Sequence, residues 1–182
     1  MSNLLNKTMI YGMAAGLALL GCTSGKHTAK NEKAPVPSTS AALPAAAPSP
    51  ARVSANIAPG FEKQILALIN KHRSKKGLTQ LTNNFVITSV ARQHSLEMAT
   101  GKMPFGHGGM DARFSYIRAR VDGVSSVAEN VAYGDQTPEE VVNGWLNSPG
   151  HRKNIEGNYR LTGIGVARNV NSRLYFTQLF AN

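Results

Sequence analysis

The chain has 182 residues, 42% hydrophobic and 16% charged, with a formal charge of +10 and a pI near 10.1. That length suits one domain with appendages; the apolar share is too high for a wholly disordered chain, and no apolar run reaches the roughly 20 residues of a membrane-spanning helix. One cysteine excludes a disulfide framework and a multi-cysteine zinc site, and basic residues spread without interleaved aromatics give no nucleic-acid surface, fitting an anionic bacterial envelope better.

Residues 1–21 read as a lipoprotein signal peptide. Lys7 supplies the positive start, and Met9–Leu20 is an apolar stretch too short to span but long enough for a signal core. Leu19-Leu20-Gly21-Cys22 resembles a bacterial lipobox, in which cleavage precedes the cysteine and its thiol takes a diacylglyceryl group. The alternative is an ordinary secretory signal with a stray thiol, yet no small-x-small cleavage site follows. Two or three acyl chains would anchor the protein stably to a membrane. Residues 22–60 then form a tether. Six of the nine prolines fall in Ala34–Gly60 among Ala and Ser, and no aromatic lies between Tyr11 and Phe61. Such a segment cannot bury enough apolar surface to offset its conformational entropy.

The folded domain is expected over 61–182. Phe61, Ile65, Leu68 and Ile69 share one helical face, running to about Lys76 and closed by Gly77. Asn83 or Asn84 caps a second helix through Thr100, with Val86, Val90, His94 and Met98 on one face and Gly101 and Pro104 as stops. Asp111 is the expected cap of a third helix carrying Phe114, Ile117 and Val121. Val124–Tyr133 has the composition of a buried strand. Thr137-Pro138-Glu139-Glu140 is a capping box with proline at the first helical position, followed by the apolar face of Val141, Val142, Trp145 and Leu146. Ser148-Pro149 restarts that logic for a short helical turn holding His151. Thr162–Ala167 and Arg173–Phe180 read as a hairpin joined by Asn169–Ser172. The pattern is a mixed α/β layer structure with an antiparallel sheet.

Three places can carry chemistry. His107 stands among Gly106, Gly108 and Gly109, either as a proton-handling or metal-binding group or as a turn histidine in solvent. Glu129, beside Asn130 in an apolar run, is either a buried carboxylate that needs a partner or an edge residue facing water. His151 begins a helical turn and can point its ring into a cavity. Ser148 invites a Ser148–His151–Glu129 triad, but serine before proline is first an N-cap and the glycine-flanked elbow of a hydrolase is missing. His94 is expected as a hydrogen-bonded core histidine, His72 beside Lys71 and Arg73 as a surface residue, and Met103 and Met110 as loop packing.

Taken in order, these segments resemble the bacterial branch of the CAP superfamily, whose SCP domain occurs in cysteine-rich secretory proteins, pathogenesis-related proteins and venom antigens. The resemblance is carried by Asn70 and Arg73, Phe105–His107, Ala128–Ala132, Trp145 with Ser148–Arg152, Asn154-Ile155, Ile164–Val166 and Tyr175–Phe180. It implies a three-layer α-β-α sandwich with a central, largely antiparallel sheet and a cleft of two histidines and two acids that in some members holds a divalent metal such as zinc. By position, His107, Glu129 and His151 correspond to three of those four. Ser148 stands where the second acid normally lies, and Ala128 replaces the glycine usual before the glutamate. The resemblance thus implies His107, Glu129 and His151 as metal ligands, with Ser148 completing the cleft.

The leading expectation is an envelope-anchored binding module with no catalytic residues, facing the periplasm or exterior. Its cleft would take a small ligand, a lipid, a peptide or a cell-wall component. The rival is a metal-assisted or serine-type hydrolase, weakened by the missing acid. A third possibility is a structural envelope protein whose cleft residues form a hydrogen-bonded core network.

Overall fold

A computed structural model describes residues 60–182. The signal peptide, Cys22 and the tether up to residue 59 lie outside the described residues. Five helices, α1 (Phe61–Lys75), α2 (Phe85–Ala99), α3 (Met110–Arg118), α4 (Pro138–Asn147) and α5 (Pro149–Ile155), accompany four strands, β1 (Thr82–Asn83), β2 (Val127–Gly134), β3 (Leu161–Arg168) and β4 (Leu174–Ala181). The sheet order is β1-β3-β4-β2, antiparallel except for the short parallel pair β1/β3. No helix among the described residues is long and apolar enough to cross a membrane.

Strand alternation sorts the core onto two faces. Leu174, Phe176 and Phe180 of β4 join Ile164 and Val166 of β3 against Ile65 and Ile69 of α1, Val141 and Trp145 of α4, and Ile155 of α5. Leu179 and Ala181 point the other way, onto Ile87 and Ala91 of α2 and Ile117 of α3. Two apolar faces and two helical layers make the expected α-β-α sandwich. The approach of α2 is unusually close. A Cβ on Gly163 would overlap the backbone of Ile87 and Thr88, and one on Gly165 the backbone of Ala91 and Arg92. Ser95 Oγ then reaches across to Gly165 O and Thr177 Oγ1, both at 2.9 Å.

Several boundaries follow from local chemistry. Asn84 caps α2 by accepting from Ile87 N at 3.1 Å, while Asn83 accepts from the Thr88 hydroxyl. Asp111 does not cap α3: Gly109 holds the N-cap position, and Asp111 lies in the first turn, where a carboxylate complements the helix dipole. The strand expected from Val124 begins at Val127, because the N–H groups of Ser125 and Ser126 are taken by Asn182 O. The β1 strand was not expected, because its two residues are too few to show any alternation.

Two polar residues of α1 make long-range contacts, and His72 differs from expectation. Arg73 is only 2% exposed, and its guanidinium donates to the carbonyls of Thr79, Ile155, Gly157 and Tyr159 at 2.6–3.2 Å. Burial pushes its pKa down, yet four carbonyl acceptors replace the lost water. His72 is not a free surface group: its Nε2 lies 2.8 Å from Glu156 Oε1, tying α1 to the end of α5.

Candidate functional site

The edge strand β2 brings the central carboxylate into place. Its register with β4 sets Val127, Glu129 and Val131 on the α2/α3 face, and Ala128, Asn130 and Ala132 on the other. Glu129 is therefore buried, and its partners explain how. Arg113, from α3, donates through Nε to Oε2 and through Nη2 to Oε1, each at 2.8 Å, a bidentate charge-assisted pair. His107 Nδ1 lies 2.9 Å from Oε1. A carboxylate only accepts, so Nδ1 carries the proton and Nε2 is the acceptor of the neutral ring. Of the two readings left open for Glu129, the buried, partnered one is found.

The loop that presents His107 is held from several sides. Gly106 has φ +137°, a conformation few side chains adopt, and its carbonyl accepts from His94 Nε2 at 3.0 Å. His94 is fully buried on α2 and lies 3.9 Å from Glu129 Oε1. Burial is the main cause that lowers its pKa; Glu129 opposes the shift and Arg113 reinforces it. Arg113 Nη1 donates to Gly108 O at 2.6 Å, Phe105 packs on Tyr133 with ring centroids 4.6 Å apart, and Met103 lies against Gly108.

His151 faces the same region from α5 and is half-buried. Burial lowers its pKa, and His107 pushes it the same way when protonated. An amide pair fixes α5 against β2: Asn154 Nδ2 donates to Asn130 Oδ1 at 2.8 Å and Glu129 O at 3.2 Å, and Asn130 Nδ2 donates to His151 O at 3.1 Å. Asn130 thus positions the backbone of α5 through His151 O.

Ser148 is half-buried at the junction of α4 and α5. The side-chain cap expected of it is not made. It serves both helix ends through its backbone, its N–H donating to Trp145 O and its carbonyl accepting from Arg152 N. The oxygens of Glu129 are occupied by Arg113 and His107, so no Ser148–His151–Glu129 triad is assembled.

The set expected for a divalent ion does not fit one as placed. Oε1 of Glu129 already accepts two hydrogen bonds and Oε2 is held by the guanidinium, so the carboxylate is engaged and only Nε2 of His107 stays open to a ligand. Among the described residues no three His, Cys, Asp or Glu side chains are arranged to hold a metal. Arg113 is the site residue that sequence reasoning missed, whereas His94 is the hydrogen-bonded core histidine expected. A signal for Arg113 was present: it stands four residues before Ile117, on the inward stripe of α3, and a carboxylate in an apolar run calls for a cation.

Residues 66–180 match the cysteine-rich secretory protein family, CAP. The chain is 35% identical over 153 residues to the uncharacterized protein YkwD of Bacillus subtilis, covering 83% of this chain and 56% of that protein. It is also 35% identical over 124 residues to the membrane protein YlbC of the same organism, covering 65% of this chain and 34% of that one. It therefore spans about half or less of the length of these relatives. An extracellular protein with an SCP domain from Bacillus anthracis superposes with a TM-score of 0.55 at 29% identity, over 68% of this chain and 40% of that one. An outer surface protein from Borrelia burgdorferi shares the fold, with a TM-score of 0.58 at 21% identity over 68% of this chain and 93% of that one.

Proposed function

Because the chain belongs to the cysteine-rich secretory protein (CAP) family, we propose that it is a recognition module of the bacterial envelope, anchored by lipid at Cys22 and binding a small cell-wall-derived ligand in the cleft of His107, Glu129 and His151. One observation carries the reading of the cleft. Both oxygens of the buried Glu129 are already bound, by Arg113 and His107, so the carboxylate orients an imidazole rather than attacking or ligating. A carboxylate–imidazole pair of this kind presents a fixed acceptor, His107 Nε2, to a ligand donor. The anchor and the location outside the cytoplasm rest on the Leu19–Cys22 sequence and on relatives described as extracellular or outer-surface proteins. Plain secretion is the alternative.

The same His107–Glu129 hydrogen bond also favours a second reading, a hydrolase in which His107 Nε2 acts as general base toward water. Calorimetric titration of the full chain with disaccharide peptides released from the bacterial wall separates the two. Saturable binding, weakened at least ~10-fold by His107→Ala and His151→Ala with the fragments recovered intact, is the expected result. Fragment cleavage lost on His107→Ala favours the hydrolase. No binding, or binding indifferent to both substitutions, rejects the cleft as a recognition site.

A further inference from the structure

We infer that Arg113 takes the place of a divalent cation in this cleft and makes it a metal-independent site. The inference rests on the proposed cleft for its location and not for its ligand. Glu129 has no exposed side-chain surface and Arg113 only 11%, so their contact is shielded from solvent. A carboxylate oxygen has two lone pairs. Those of Oε1 are used by Arg113 Nη2 and by the proton on His107 Nδ1. A metal–carboxylate bond of about 2.0–2.2 Å to that oxygen would have to displace one of them. Binding to Oε2 instead would set a divalent ion roughly 4–5 Å from a guanidinium nitrogen, in a site where charges are poorly screened.

Arg113 also does what a bridging ion would do mechanically. Its Nε and Nη2 hold β2 through Glu129, its Nη1 holds the His107 loop through Gly108 O, and its own backbone belongs to α3. Three segments are thereby joined through one fixed positive charge. The cross-link is made by a side chain of the protein itself and depends on no metal supply. With Glu129 engaged, the lone pairs left to a metal come from imidazole, short of the three protein ligands usual in an open zinc site.

Zinc titration of the full chain, read by equilibrium dialysis and by melting temperature, tests this directly. The wild type is expected to take up no equivalent of zinc that depends on His107, and to melt at the same temperature in chelator and in excess zinc. Arg113→Gln removes the charge and frees a carboxylate oxygen, and is expected to bind zinc at least ~10-fold more tightly than wild type. One equivalent bound by wild type and lost on His107→Ala overturns the inference. So does a folded Arg113→Gln protein with no gain in affinity. If that variant does not fold, the wild-type titration still decides. Failure of the wall-fragment titration leaves this result intact, and zinc uptake by wild type leaves ligand recognition intact, so the two failures are distinguishable.

Discussion

His94 is fully buried beside Glu129 and Arg113, and burial holds its pKa below the ordinary value. In the unfolded chain the same imidazole takes up a proton below about pH 6.5. Below that pH the unfolded state binds more protons than the folded one, so stability rises with pH. Its contribution is fully present above about pH 6.5 and is lost as the pH falls. His94→Gln keeps a donor for Gly106 O but cannot titrate. Urea unfolding between pH 7 and 5 should show a shallower loss of stability in this variant, although His151, whose pKa is lowered too, still contributes. An undiminished slope would mean that His94 is not the titrating group. At Arg73 the issue is hydrogen bonding rather than protons. Arg73→Leu strands four carbonyls and should cost about 3–5 kcal/mol by urea unfolding. Arg73→Lys should restore little of this, because an ammonium cannot reproduce the planar fork.

Helix starts and helix-to-sheet contacts set the element scale. Thr137 and Glu140 reciprocate in a complete capping box, whereas Ser148 makes no side-chain cap. Thr137→Ala is therefore expected to lower stability by about 1 kcal/mol and Ser148→Ala by less than about 0.5 kcal/mol. Equal losses in chemical denaturation would contradict this assignment. The contact between α2 and β3 is less forgiving. A methyl group at Gly165 meets backbone atoms of Ala91 and Arg92 that cannot rotate away. Gly165→Ala should cost about 3 kcal/mol or more, and it should loosen the His107 loop because α2 carries His94. Thermal unfolding and the linewidth of the His107 ring signals report both effects.

For the whole molecule, one sheet serves two cores, and the His107–Glu129–Arg113 cluster lies where its edge strand β2 meets α3, α5 and the His107 loop. If Cys22 carries the lipid, Cys22→Ser should move the protein from the membrane to the soluble fraction while the melting temperature of the domain stays unchanged. Retention in the membrane fraction would reject the anchor.

The sequence by itself determined what depends on neighbours along the chain. Apolar spacing, the Thr137–Glu140 box and the Asn169–Ser172 hairpin placed most helices and the β3/β4 pair, and the ordered motifs grouped His107 with Glu129, which the structure joins by a hydrogen bond. Tertiary structure alone decided how those groups pair. Arg113 and His94 lie 16 and 12 residues from the groups they hold, Glu129 and Gly106. Local pattern cannot show which buried cation answers a buried carboxylate, because desolvation is relieved by whichever charge the packing brings close. The burial of Arg73 was hidden for the same reason, since three of the four carbonyls it binds arrive from 82–86 residues away.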